Sequence, residues 1–327
     1  MQLKQIGKQL GSIQFLVNIL AAGAALATAL SFVGSWWWIF AMLEHFRPQY
    51  CLLLTIALFL DLINRDPWSN QHFYLLWAIP LAINFSLLLP LFLPSFGHAT
   101  NSIELRVLHA TLDNDNPDVS KAIDYVNNQA PDIVSLLEVT PQSLPQLQAG
   151  LTNYQLVIAE PRTTSHGSAW FVSRQPSYPI EVKAAELIHL PPTSSRPILQ
   201  ITITYAGKPI DLLCFHAIRP RSASTVDFQR VEFEALAQWS RQRQAIVVGD
   251  FNSTPWYGSF RQMLHQSGLV NSQNGFGLQP TWHGSLLPIL RIPIDHCLHS
   301  PSIVTIRRTI GSHIGSDHLP LLVTLRI

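Results

Sequence analysis

The sequence predicts a layered α/β or α+β sandwich preceded by apolar membrane helices. Three observations predict it. Charge is nearly absent from the first third: between Met1 and Ala99 stand only Lys4, Lys8, Glu44, Arg47, Asp61, Arg65 and Asp66. Beyond that point, apolar runs of strand length outnumber the helical patterns interleaved with them. Polar residues stand just past the ends of several of those runs. The expected division is a membrane region over residues 1–100 and a soluble domain over residues 101–327.

No charge lies between Lys8 and Glu44, and Ser12 to Val33 is almost wholly apolar. At 1.5 Å per residue that run crosses a hydrocarbon core of roughly 30 Å. Trp36, Trp37 and Trp38 follow it, as an interfacial aromatic belt would. Lys4 and Lys8 ahead of an Ala-rich run also fit a cleavable signal peptide, but the run is too long and more apolar sequence follows. Phe73 to Phe96 makes a second clear span, in which Pro80, Pro90 and Pro94 are tolerable. Tyr50 to Ile63 is weaker because Asp61 closes it early. Two or three transmembrane helices are therefore expected, at about 12–33, 48–64 and 73–96. Lys4 and Lys8 hold the N-terminus in the cytoplasm; three spans then put the soluble domain outside, and two leave it inside. Arg65 in the second loop and the lack of Lys and Arg from Phe96 to Glu104 favour three.

The soluble part carries 17 Lys/Arg against 17 Asp/Glu. That balance excludes the strongly basic surface with which proteins grip duplex nucleic acid. Arg219, Arg221, Arg241 and Arg243 read equally well as a basic rim or as solvated helix flanks. Cys51, Cys214 and Cys297 match no zinc or redox spacing and read as buried thiols. Cys214 and Cys297 pair only if their strands are neighbours.

Asn101 and Ser102 end a short linker, and Ile103 to Ala110 alternates as a strand does. Asn116-Pro117-Asp118 predicts a helix start, with Asn as the cap and Pro in the first turn. Ala122, Ile123, Val126 and Ala130 make its apolar stripe, and Pro131 stops it. Asp132 to Leu137 is a short buried strand that delivers Glu138. Tyr154 to Ala159 and Ser168 to Ser173 are further strands. Ile198 to Tyr205 and Pro209 to Phe215 flank Ala206-Gly207-Lys208 and predict a hairpin whose second arm ends at His216. Ser224 or Thr225 is expected to cap the strongest helix of the domain, which runs to about Arg243. Ala245 to Gly249 is a continuous apolar strand ending at Asp250; Ile294 to Leu298 and Leu319 to Leu325 complete the set.

The residues past the strand ends carry the chemistry: Glu138, His216, Asp250 with Asn252, Asp295, and Asp317 with His318. Packed strands hold such groups in fixed geometry at one edge of a core. Singly, each has an ordinary explanation. Asp250 and Asn252 suit an Asx-turn, His216 a core position, Glu138 the surface, and Asp317 the cap of a final strand. Their recurrence in one domain argues for a shared site.

Glu138 closes Asp132-Ile133-Val134-Ser135-Leu136-Leu137-Glu138, and Gly249-Asp250-Phe251-Asn252 follows an apolar strand. Ile294-Asp295-His296 and Gly315-Ser316-Asp317-His318-Leu319-Pro320 come near the C-terminus. In this order and spacing the set resembles the endonuclease/exonuclease/phosphatase superfamily, which includes DNase I-like nucleases, sphingomyelinases and inositol phosphatases. The resemblance covers about Asn101 to Ile327. The preceding apolar segments, Thr281-Trp282 and the run Ile292 to His296 make the chain similar to bacterial membrane-anchored members. The resemblance implies a four-layer α/β sandwich and a Mg²⁺-dependent hydrolase of phosphodiesters or phosphomonoesters, with Mn²⁺ as a substitute metal. Such a hard cation takes carboxylate and water oxygens and assists attack of water on phosphorus.

By that resemblance Glu138 is the principal metal ligand, with Asp317 beside it. Asp250 orients or deprotonates the attacking water, and Asn252 donates to the developing charge. His318 contacts the phosphate or transfers a proton while Asp295 fixes its tautomer; His216 is a second phosphate-facing histidine. The family's first strand ends in a metal-binding Asn, a position held here by Thr111, whose hydroxyl is a poorer ligand. Asn116 matches a second Asn of the membrane-anchored subgroup and is the other expected metal-side residue. His109 reads as strand filler. Thr111 supports an alternative, a catalytically weakened member acting as a membrane-tethered binding module. The expected partners are a phosphoester substrate (lipid, nucleotide or nucleic acid) and membrane lipid around the N-terminal helices. The expected location is the bacterial cytoplasmic membrane, with the catalytic domain on the extracytoplasmic side.

Overall fold

The computed structural model describes residues 2–34, 36–63, 74–93 and 103–327. The chain forms two compact units, Met1–Phe92 with Trp256–Gly258, and Leu93–Pro255 with Ser259–Ile327.

The helices of the first unit are α1 (Gln2–Ser31), α2 (Trp38–Met42), α3 (Arg47–Ile63) and α4 (Leu75–Leu88). Ala21 and Ala24 of α1 pack with Leu54 and Ala57 of α3 and Trp77 of α4; small side chains let the helices close on one another. Two polar cross-links tie the bundle. At one level, Asp61 of α3 accepts from Gln14 of α1 (3.1 Å) and from the indole of Trp77 of α4 (2.5 Å). At the other, buried Arg47 of α3 donates to Asn84 of α4 (2.9 Å) and Ser31 of α1 (3.2 Å), while Asn84 donates to Thr28 (2.7 Å). The three long helices therefore alternate in direction.

Among the described residues two segments are long and apolar enough to cross a membrane, Ser12–Ser31 and Trp38–Ile63; Leu75–Leu91 is apolar but shorter. The middle segment is longer than the expected 48–64. The middle one gains length because Trp38–Met42, the 3₁₀ turn Leu43–Phe46 and Arg47–Ile63 follow on without a break. Phe73 and residues 94–96 of the third expected span, and the linker residues Asn101 and Ser102, lie outside the described residues.

The second unit holds two six-stranded sheets. The first contains β1 (Glu104–Thr111), β2 (Ile133–Leu137), β3 (Tyr154–Glu160) and β4 (Ser168–Ser173). The second begins with β5 (Ile180–Ile188), β6 (Ile198–Tyr205), β7 (Lys208–His216), β8 (Ala245–Asp250), β9 (Val270–Asn271) and β10 (Asp295–His299). The last two strands, β11 (Val304–Ile310) and β12 (Leu321–Arg326), return to the first sheet. The orders are β11-β12-β1-β2-β4-β3 and β5-β6-β7-β8-β10-β9. Each sheet thus has one central parallel pair, β1 with β2 and β7 with β8, flanked by antiparallel strands.

Strand alternation builds the layers. Leu105, Val107, Ile133, Leu321 and Val323 meet Ile201, Leu212, Cys214, Ile246, Val248 and Cys297 in the core between the sheets. The opposite face of the first sheet, with Leu108, Ala110, Val134 and Leu136, packs under α5 (Ser120–Gln129) and α6 (Ser143–Gly150) through Ala122, Val126 and Leu147. On the far face of the second sheet lie α7 (Ala223–Ser240) and α8 (Gly258–Ser267). Phe233 and Phe260 from these helices stack with Phe215 and Phe251. The result is a four-layer α/β/β/α sandwich. Gly249 is required in β8, because a Cβ there would stand 1.7 Å from the Phe215 carbonyl oxygen of the adjoining strand.

Some local expectations are corrected. Helix α5 starts at Ser120 with Val119 at its cap position, so Asn116 and Pro117 do not open it. Helix α7 is capped by Ser222 in a capping box with Thr225, two or three residues before the expected cap, and ends at Ser240. Cys214 and Cys297 lie on strands separated by β8 and are free thiols, as is Cys51.

Candidate active site

Inner-face parity carries the core to one edge and there turns polar. On β1 the inward series Leu105, Val107 continues to His109 and Thr111; on β7, Leu212 and Cys214 continue to His216; on β8, Ile246 and Val248 continue to Asp250. The register sets His216 and Asp295 on either side of Asp250. Parallel strands end where their antiparallel neighbours begin, so distant segments deliver side chains to the same edge.

Asp250, Asp295 and His318 converge there, each offering a polar atom within 4.8 Å of the others. Asp295 Oδ2 lies 2.8 Å from His318 Nδ1. His318 Nε2 has no hydrogen-bond partner and sits between Asp250 Oδ2 (3.9 Å) and Asp317 Oδ1 (4.0 Å). His216 Nε2 is 3.6 Å from Asp250 Oδ2. Asn252, at φ +47°, directs its backbone N–H to Asp250 Oδ1 (2.7 Å) and its amide to Asp250 Oδ2 and the Ala217 carbonyl (both 3.0 Å). Its amide therefore fixes the carboxylate of Asp250.

Burial would weaken a charged imidazole, but the charge and hydrogen bond of Asp295, with Asp250 and Asp317, push His318 up to about 10. Burial would likewise raise Asp295, yet His318, bonded to it, and the nearby His109 hold it well below the usual carboxylate range. Asp250 is pushed up to about 7 by burial, and the charge of Asp295 adds to this while His318 opposes it. His216 is held well below its usual value by burial and by Arg196, His166, His318 and Arg219. Two carboxylates at one site thus differ sharply in proton affinity, the arrangement that divides acid from base roles.

Beside this group lies a cleft of about 830 Å³ lined by Glu138, His216, Asn252 and Asp317 together with Asp113, Asn114, Asp115, Arg196, Arg219 and Arg221. Glu138 is 5% exposed and follows β2 at φ +59°, a strained turn that swings its carboxylate toward the cleft. Asn114 N–H donates to its Oε2 (3.0 Å). Burial raises Glu138, helped by Asp317 and opposed by the Asn114 bond, His318 and Arg219. Among the described residues no Lys or Arg lies within ion-pair distance of Glu138.

A buried carboxylate facing further carboxylates with no paired cation is a donor set suited to a hard divalent ion. The Asp250–Asp295–His318 group has metal-like spacing as well. Asp295 Oδ2 and His318 Nδ1 are spent on each other, however, and both oxygens of Asp250 accept from Asn252. The Glu138 side is therefore the better fit.

The other expected metal-side residues are placed differently. Thr111 is buried, and its hydroxyl donates to Asp295 Oδ1 at 3.4 Å. Asn116 bridges two loops, its amide donating to the Gly315 carbonyl (2.9 Å) and accepting from Asp118 N–H (3.0 Å). Neither lines the cleft. Of the four arginines considered as a rim, Arg219 and Arg221 line the cleft, whereas Arg243 pairs with Asp211 (2.7 Å) beside Arg241 in a separate hollow.

Sequence reasoning missed several contributors. His109 stands 3.5 Å from Asp295 Oδ1 by its Nε2 and 3.4 Å from Ser135 Oγ by its Nδ1, so it is no filler. Arg308 of β11 donates to the Asp295 carbonyl (3.1 Å). Arg196 donates to the His216 carbonyl (2.6 Å) and pairs with Glu232 of α7 (3.2 Å). Inward parity on β1 was the available signal for His109; nothing local marks Arg196 or Arg308.

Solved structures share this architecture. An endonuclease/exonuclease/phosphatase from Bacteroides vulgatus is 17% identical, with a TM-score of 0.56 over 69% of this chain and 100% of its own. Humanized TDP2 from D. rerio is 17% identical, with a TM-score of 0.55 over 68% and 99%. A mannosyl-6-phosphatase from Bacteroides thetaiotaomicron is 17% identical, with a TM-score of 0.53 over 68% and 100%. No curated protein matches the chain in sequence. The family model described as Endonuclease/Exonuclease/phosphatase family matches residues 100–318. With two thirds of its length matched, and with a sandwich of the same kind, the chain belongs to the endonuclease/exonuclease/phosphatase family.

Proposed function

We propose that the chain is a membrane-anchored, divalent-metal-dependent phosphoester hydrolase. Family membership supports phosphoester hydrolysis in general. The observation that carries the finer reading is the convergence of Asp250, Asp295 and His318 beside a cleft whose wall holds Glu138. Glu138 and Asp317 would hold a Mg²⁺ or Mn²⁺ ion, which when bound supplies charge neutralisation at the phosphoryl oxygens.

The chain's own residues supply the rest. Asp250, raised to about 7 and fixed at both oxygens by Asn252, suits acceptance of a proton from water near neutral pH. His318 is held charged by Asp295, with its Nε2 free to meet a phosphoryl or leaving-group oxygen. His216, kept neutral, adds a hydrogen-bonding group at the cleft wall. Arg219 supplies positive charge to an anionic substrate without a carboxylate partner among the described residues.

Anchoring rests on the apolar helices, and the alternating direction of α1, α3 and α4 supports three passes. With Lys4 and Lys8 on the cytoplasmic side, three passes put the catalytic domain outside a bacterial cytoplasmic membrane. Full-length protein in detergent, assayed on bis-p-nitrophenyl phosphate with Mg²⁺, Mn²⁺ or EDTA, tests the reaction. Metal-stimulated turnover abolished by Asp250→Ala and His318→Ala is expected. Flat traces at every metal concentration, for the natural chain and Thr111→Asn alike, would instead favour a tethered binding module.

A further inference from the structure

We infer that the loop from Ser285 to Leu290 is a lipid-contact element that seats the rim of the cleft on a bilayer surface. The inference rests on the anchored reading above. Ser285 to Leu290 are all exposed, and they include Leu286 (43%), Leu287 (68%), Ile289 (46%) and Leu290 (52%). Among the other described residues of the catalytic unit the exposed large apolar side chains are Leu93 at its start, Tyr178 before β5, Val182 and Leu187 on it, and Val231 on α7. Isolated apolar side chains are normal on a surface, whereas a run of them marks a contact site.

The tip is built. Leu286 N–H donates to the His283 carbonyl (2.9 Å), Leu290 N–H to that of Leu287 (2.8 Å), and Arg291 Nε to that of Leu286 (2.7 Å). These bonds close the backbone and turn the apolar side chains outward. His283 and Ser285, at the base of the tip, line the cleft. A short apolar projection of this kind matches a lipid interface, where apolar groups enter the acyl boundary. Chain length argues for a bilayer as the occupant. Only residues 94–102 join Leu93 to Ile103, and an extended chain covers at most roughly 3.5 Å per residue. The domain thus works within a tether of about 35 Å from the helices' bilayer.

The test places bimane on Leu287→Cys or Leu290→Cys, in a Cys51→Ser background, with Asn128→Cys of α5 as the control. Full-length protein is reconstituted in phosphatidylcholine–phosphatidylglycerol nanodiscs doped with lipids carrying a nitroxide on the acyl chain. Quenching at 287 and 290 several-fold greater than at 128 is expected, in discs holding a single chain. Equal quenching at all three positions, in protein that resists alkaline carbonate extraction, overturns the loop's role alone. Release by alkaline carbonate overturns the anchor, and the loop's role with it. Shielding that appears only in discs holding two chains would assign the tip to self-association and overturn the lipid assignment. Turnover of bis-p-nitrophenyl phosphate by each labelled variant checks the fold, and a hydrolase reading that failed there would leave the quenching result standing.

Discussion

Asp295 Oδ2 and His318 Nδ1 lie 2.8 Å apart, both side chains 1% exposed, although 23 residues separate them in sequence. The carboxylate enters at the start of β10 in one sheet, and the imidazole arrives just before β12 of the other. Asp295→Asn removes the main charge that holds His318 up. The imidazole pKa is expected to drop from about 10, and kcat to fall roughly 10²–10⁴-fold with the fold intact. Steady-state kinetics, with a thermal melt as control, check it.

Glu138→Gln is isosteric and keeps an acceptor for Asn114 N–H, but it removes the charge a divalent ion requires. Loss of an outer-shell partner alone costs about 10–100-fold in metal affinity. The variant is therefore expected to need at least about 100-fold more Mg²⁺ or Mn²⁺ for half-maximal activity. A metal titration, with Mn²⁺ binding followed by electron paramagnetic resonance, reads this directly.

Thr111→Val keeps the shape of the side chain and deletes its bond to Asp295. A stability loss of about 0.5–1.5 kcal/mol is expected, with an unchanged metal requirement. A metal requirement that shifted in Thr111→Val would restore Thr111 to the metal side. Denaturant unfolding and the same metal titration separate the outcomes.

Arg219→Ala is expected to raise KM about tenfold or more while moving unfolding free energy by less than about 0.5 kcal/mol, since Arg219 lines the cleft without an ion pair among the described residues. Rising ionic strength should lower kcat/KM in the natural chain more than in the variant.

Burial pushes Glu232 up to about 7 despite the opposing pull of Arg196 and the Ile218 N–H. The Arg196 guanidinium is itself held down by burial, so the shifts of both partners say that desolvation outweighs their attraction. A carboxyl whose folded pKa is raised contributes stability that is complete below its unfolded value near 4.3 and is lost as pH rises through about 7. Unfolding free energy should therefore carry a falling component between about pH 4.5 and 7, which Glu232→Gln flattens. Melts across that range check the sign.

Buried elements with strong periodicity were legible in the sequence. β8 reads as an unbroken apolar run up to Gly249, and β2 as one interrupted only by Ser135, because parallel central strands are covered on both faces. β5, mostly exposed, and β11, interrupted by Arg307 and Arg308, gave no such pattern; each lies at a sheet edge. Asn116 misled because an Asn-Pro-Asp turn uses the same residues as a helix cap; here it spends its amide on Gly315 instead. Strand ends marked Glu138, His216, Asp250, Asp295, Asp317 and His318, but not His109 within β1. They could not reveal Arg196, whose placement depends on a bond to the His216 carbonyl and on a glutamate one helix away.

The seam between the sheets has a consequence for how activity fails. Glu138 belongs to one sheet and Asp250 to the other, and their alignment is kept by interdigitated side chains and by links such as the Trp170 indole to the Leu199 carbonyl (3.1 Å). A slip of one layer past its neighbour would misalign donors and acceptors while every strand stayed paired. Catalysis should then vanish ahead of secondary structure on heating, and loosening substitutions deep in the interior, such as Trp170→Phe, would pass for active-site lesions.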